Sequence, residues 1–188
     1  MKIFFLLSLF ITSNCFGKKY HINLNQSEIS FTVPYMTISE VKGLFQKFRG
    51  HFDFDVSTGI LNTISLEISA PSIYTNDSKR DKHLRSRDFF EVSKYPVITF
   101  KSTKISPVGK KQFDVLGILT IRNRSREQKV KLTYLGAEKK SWKKESIYFS
   151  AEADIDRILY GVKWNKLLEG DTWLLGKTIR LKAHVRGK

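Results

Sequence analysis

The sequence predicts an all-β fold, a single antiparallel β-barrel of about eight strands with short helical connections. Three observations predict it. Apolar and polar residues alternate with period two through most of the chain. Turn-forming stretches separate consecutive alternating segments, and no long segment carries a helical period. Strands that bury one face and wet the other belong to antiparallel sheets. When every strand is apolar on one face, the sheet must roll up or pair with a second sheet. Closure into a barrel removes the exposed edges.

Taken in order, the chain opens on a leader. Lys2 supplies a positive n-region, Ile3 to Ile11 is apolar apart from Ser8, and small and polar residues follow. This is the pattern of a secretory signal peptide, and the apolar run is shorter than the roughly 20 residues of a membrane span. Residues 1–17 are expected to be the signal and 18–188 a single exported domain. Two processing routes stay open. Cleavage after Gly17 places Cys15 and Gly17 at the small-residue positions. Alternatively "TSNC" is a loose lipobox, and Cys15 becomes a lipidated, membrane-tethered N-terminus. Cys15 is the only cysteine, so the domain holds together by its core without disulfides. About 170 residues suffice for one such core.

The alternating segments come next. Ile29, Phe31 and Val33 form the first, and Phe52, Phe54 and Val56 the second. Ile64, Leu66, Ile68 and Ala70 form the third. "VITFKS" and "FDVLGILTI" add the strands that follow. Ile147, Phe149, Ala151, Ala153 and Ile155 make a long one, and Ile179, Leu181, Ala183 and Val185 the last. "STGI" at 57–60, "SPVGKK" at 106–111 and "LGAEKK" at 135–140 read as turns. Residues 37–43, 78–94 and 156–163 resist the strand reading. No repeat, low-complexity tract or interdomain linker interrupts the chain.

Within residues 76–96, "NDSKRDKHLRSRDFFEVSKYP", Ser78 with Asp81 fits a helix start, and Asp88 with Glu91 repeats that spacing for "FFEV". Leu84, Phe89 and Phe90 are the apolar residues available to dock this connection, each Phe worth about 1.5–3 kcal/mol when buried. Pro96, lacking an N–H, fits the start of a strand.

Residues 72–103, "SIYTNDSKRDKHLRSRDFFEVSKYPVITFKST", closely resemble the signature region of the YceI-like family. "ISFTVPYMTISEVKGLFQKFRGHFDFD" resembles its N-terminal hairpin, "FDVLGILTI" its mid-chain strand and "DRILYGVKW" its late connection. The resemblance implies a lipocalin-like barrel, exported to the periplasm, holding a long isoprenoid or other amphiphilic lipid. Two places depart from the family. Tyr35 stands where a His is common, and Asn123 and Glu127 replace a Gly and a Pro after "LTI". Asn tolerates the left-handed conformation that a Gly would supply.

Function follows as an expectation of noncatalytic lipid binding, sequestration or transport, with the lipid as ligand and no cofactor. Phe31, Val33, Phe52, Phe54, Leu66, Ile68, Phe100, Ile121, Phe149 and Ile155 are expected to line the interior. Leu84, Phe89, Phe90 and Trp164 are expected at the lid and mouth. A barrel of about eight strands is either filled by its own side chains or holds one ligand. A side-chain-filled interaction module therefore stays open, as does an enzyme acting on a lipid-like substrate. Asp81 and His83 are close in sequence, but nothing resembles a nucleophile elbow, and capping accounts for them. His21, His51, His83 and His184 show no metal-ligand spacing. Glu152, Asp154 and Asp156 share a strand face, where Lys or Arg partners are expected instead. The formal charge of +15 falls to +14 when Lys2 leaves with the signal, favouring anionic surfaces such as a membrane. "RNRSREQKVK" at 122–131 lacks interleaved aromatics, so a charged rim is expected there and no nucleic-acid partner.

Overall fold

The computed structural model describes residues 17–36, 39–141, 144–166 and 174–188. The leader and the two readings of Cys15 lie outside the described residues. Eleven strands, Lys18–His21 (β1), Glu28–Tyr35 (β2), Ser39–Phe45 (β3), Phe48–Asp55 (β4), Ile60–Ser69 (β5), Ile73–Tyr74 (β6), Val97–Pro107 (β7), Gln112–Ile121 (β8), Arg124–Ser141 (β9), Lys144–Asp156 (β10) and Thr178–Gly187 (β11), form one sheet. One α-helix, Ser78–Arg85 (α1), lies between β6 and β7.

The sheet order is β1-β4-β5-β7-β8-β9-β10-β11-β2-β3-β6, and every ladder is antiparallel. β3 and β4 stand near opposite ends of that order, yet only Gln46 and Lys47 separate them along the chain. This short link draws the ends together, and the sheet is a curled half-barrel. A second tie joins β1 to β11: Ile22 bridges Gly187, and His21 and Lys188 exchange two backbone hydrogen bonds of 2.9 Å.

The count of about eight strands is corrected to eleven. β1 has four residues and β6 two, too short to show a period. The segment 37–43, which resists a strand reading, supplies most of β3, whose first six residues are not buried, so no alternation marks it. "LGAEKK" is also not a turn, because β9 runs through it. Tyr148 pairs with Gly136 and Phe149 with Tyr134, leaving Leu135 as the extra residue of a β-bulge. Gly136 takes φ +134°, a conformation glycine adopts at no steric cost.

Other turns form where sequence chemistry places them. At 55–59 the Asp55 carboxylate accepts from the N–H of Ser57 (2.8 Å) and Thr58 (3.3 Å), and Gly59 takes φ +71°. Arg122 and Asn123 link β8 to β9, both with positive φ (+50° and +57°). That is the two-residue turn whose twist matches a hairpin, and Asn123 does tolerate it.

The concave face carries the core. Ile29, Phe31 and Val33 of β2, Phe52 and Phe54 of β4, Val115, Leu119 and Ile121 of β8 and Ile147, Phe149 and Ile155 of β10 are all buried. Two inward glycines make the curl compact. A Cβ on Gly117 would stand 2.5 Å from Phe100 Cζ and 2.6 Å from the Lys101 carbonyl oxygen. One on Gly43 would stand 2.5 Å from Phe31 Cζ. The two Phe rings thus lie over bare backbone. On the convex face Lys182 meets Glu152 at 3.1 Å and Arg180 is the register partner of Asp154, whereas Asp156 stands opposite Thr178 and accepts from the Ile158 N–H at 2.9 Å.

Gly117→Ala is expected to lower stability by about 1–3 kcal/mol through overpacking. A urea titration checks this, with the midpoint falling and the slope unchanged.

Candidate functional site

Inside the curl lies an elongated apolar space in two lobes of about 390 and 110 Å³. Ile68, Ile98, Leu119, Ile155 and Leu181 wall both, so the lobes stand end to end along the interior. Phe149, in the wall of the smaller lobe, belongs to an aromatic plug. Phe54 lies 4.9 Å from Tyr134 and 5.3 Å from Phe149, centroid to centroid. The larger lobe reaches the surface beside α1, where exposed Lys79 is part of its wall.

Of the expected residues, Phe31, Val33, Leu84, Phe89, Phe90, Ile121 and Trp164 line the larger lobe, and Phe52, Leu66, Phe100 and Phe149 the smaller. Ile68 and Ile155 line both. Phe54 lines neither. Its inward direction is right, but its ring is spent on the aromatic plug and is 1% exposed.

The connection between β6 and β7 covers the larger lobe, and its local chemistry differs from the expected caps. Asp77, not Ser78, caps α1, accepting from the Arg80 N–H at 3.0 Å. Asp81 is buried and reaches back to the Thr75 N–H (2.9 Å) and hydroxyl (2.6 Å). "FFEV" forms a short turn, as its spacing suggests, with Glu91 at φ +49°. Asp88 pairs with His83 Nε2 at 2.9 Å, and Glu91 with Arg122 at 2.9 Å. Asp81 and His83 therefore have separate partners. The His83 ring stands edge-on to Phe89 and Trp164, each at 5.0 Å, and lines the lobe.

Arginines fasten this end to backbone carbonyls. Arg85 donates to Pro71 (2.8 Å) and Ile73 (2.7 Å), and Arg122 to Phe89 (2.8 Å) and Gly161 (2.9 Å). Arg157 is only 2% exposed and donates to four: Val162 (2.7 Å), Trp164 (2.8 Å), Gly176 (2.8 Å) and Leu175 (3.2 Å). Its fork holds the turn after β10 against the segment that leads into β11. Burial pushes the Arg157 guanidinium below its ordinary value, opposed by the nearby Asp156 carboxylate, yet an arginine stays cationic. Burial likewise raises Tyr160, another residue of this wall, so its phenol keeps its proton.

Sequence reasoning missed Lys79, Arg80, Arg157 and Tyr160 as wall residues. Arg157 was findable. The inward parity of β10 runs through 147, 149, 151, 153 and 155, and one further step reaches 157. No sequence signal places Lys79 or Arg80 there, because α1 is docked by tertiary contacts. Among the described residues no group of three His, Cys, Asp or Glu side chains could hold a metal ion.

Residues 20–186 match the YceI-like domain family. A UPF0312 protein of Vibrio cholerae is 30% identical over 137 residues, covering 73% of this chain and 72% of its own length. Two solved structures share the fold. BcnA of Burkholderia cenocepacia superposes with a TM-score of 0.75 at 22% identity, over 89% of this chain and 99% of its own. A polyisoprenoid binding domain from Saccharophagus degradans has a TM-score of 0.67 at 14% identity, over 90% and 97%.

Arg157→Met is expected to cost about 3 kcal/mol or more, since it strips four carbonyls of their donor. Arg157→Lys should recover only part of that, because an ammonium lacks the planar fork. Chemical denaturation of the two variants measures both.

Proposed function

The chain belongs to the YceI-like domain family, and on that premise we propose that it binds a long isoprenoid or other amphiphilic lipid without transforming it. The observation that carries this reading is the two-lobed apolar space. Its larger lobe, about 390 Å³, falls in the roughly 300–1,000 Å³ range of ligand pockets. Its smaller lobe is walled by apolar side chains apart from Gln128, so it suits a hydrocarbon chain better than water. The polyisoprenoid binding domain of the same fold points the same way.

In this reading the curled sheet acts as a lipocalin-like barrel around the tail, and the connection at 76–94 covers its open end. Each methylene transferred from water gains about 0.8 kcal/mol. A lipid in a bilayer already has that gain, so exchange between membrane and protein lies near balance, as a carrier or scavenger requires. The proposed setting is the periplasm, after export by the leader or with a tether at Cys15. The basic excess would favour peripheral contact with an anionic membrane.

Organic extraction of the protein purified from its native host, followed by mass spectrometry, tests the proposal. A long-chain lipid at near-stoichiometric level is expected. Its absence, together with no uptake of added isoprenoids, would sink the reading, and turnover of a lipid that is lost on His83→Ala would replace it with an enzyme. Ile155→Phe, at the junction of the lobes, should lower lipid uptake at least about tenfold while the domain stays folded, since one added ring costs only about 1–3 kcal/mol.

A further inference from the structure

Polarity is distributed unequally along the interior. In the smaller lobe only Gln128 interrupts the apolar walls. In the larger lobe every polar side chain is a cation or carries a proton to donate. Lys79, Arg80, His83 and Arg157 line it together with the hydroxyls of Tyr35 and Tyr160 and the indole of Trp164. Among the described residues, no aspartate or glutamate belongs to that wall.

The acids near these cations lie outside the wall. Arg157 makes no ion pair among the described residues: its four contacts are neutral carbonyls, and the nearby Asp156 carboxylate accepts from the Ile158 N–H instead. A guanidinium carries five N–H groups, and these four bonds leave one Nη2 hydrogen unassigned among the described residues. Lys79 likewise makes no ion pair there. Arg80 is held by Thr75 and pairs loosely with Asp77 at 3.9 Å, and His83 meets Asp88 at 2.9 Å. Trp164 ties these groups into one wall, because its carbonyl accepts from Arg157 while its ring meets His83 at 5.0 Å. A buried cation whose direct contacts are all neutral is costly, and an anion brought into contact with it recovers part of that cost.

We infer that the larger lobe selects an amphiphile whose head is an anion, a phosphate or a carboxylate. The head sits between Arg157 and the Lys79–Arg80–His83 face of α1, and the tail points through the Ile155 junction into the smaller lobe. This deepens the lipid-binding reading and rests on it. Charge-assisted hydrogen bonds to such a head are about twice as strong as neutral ones, so the wall distinguishes an anionic lipid from its alcohol.

Calorimetric titration of the delipidated protein with farnesyl phosphate, farnesol and inorganic phosphate tests this. Palmitate against hexadecanol repeats it for a carboxylate head. Farnesyl phosphate is expected to bind at least about tenfold tighter than farnesol, with inorganic phosphate far weaker than either. Lys79→Gln, an exposed position safe for folding, should reduce the preference for phosphate over alcohol at least about threefold. Equal affinity for both members of each pair would overturn the inference and leave the lipid cavity standing. Inorganic phosphate binding as tightly as farnesyl phosphate would show a free-anion site and overturn it too. Failure of all the amphiphiles to bind would remove the cavity reading beneath it.

Discussion

A single sheet that hides the apolar face of each strand on its concave side encloses an interior, and that interior must be filled or occupied. Backbone pairing sets this constraint. Eleven antiparallel strands satisfy their N–H and C=O groups in ladders, and the Gln46–Lys47 link brings the sheet's ends together. Near β1 and the β4–β5 turn rings fill that interior, with Phe54, Tyr134 and Phe149 in mutual contact and Phe113 beside Phe149. Towards α1 the filling stops, and the two lobes remain.

Segments outside the sheet need other donors for their carbonyls, and arginine supplies them. Arg80, Arg85, Arg122 and Arg157 each donate to main-chain oxygens of the connections around the larger lobe. The planar fork suits this work, since one side chain can reach several carbonyls at once. Part of the chain's basic excess is thus internal scaffolding. The same choice makes the cavity wall cationic, because carbonyls solvate the charges without neutralising them.

Period two made most of the sheet legible. Phe31, Phe52, Ile68, Phe100, Ile121, Phe149 and Ile155 all face the interior that their parity assigns. Short or irregular elements escaped it. β1 and β6 are too brief to show a period, β3 lacks one, and the Gly136 bulge reads like a turn because the same glycine chemistry serves both. Capping was misread for a related reason. Asp77, Asp81, Asp88 and Glu91 are each spaced to cap a turn, and only packing decides which does so. Asp77 caps, Asp81 holds Thr75, Asp88 meets His83 and Glu91 meets Arg122.

By itself the sequence determined the all-β class, the inward face of most long strands though not of β9, and the family, because alternation and motif are local along the chain. Only the tertiary structure decided which inward residues fill space and which surround it. Phe54 and Phe52 sit two residues apart on one face, yet one closes the aromatic plug and the other lines a lobe. It also decided that Lys79, Arg80, His83 and Arg157 share a wall. These outcomes depend on where α1 docks and how tightly the sheet curls, both set by contacts between residues far apart in sequence.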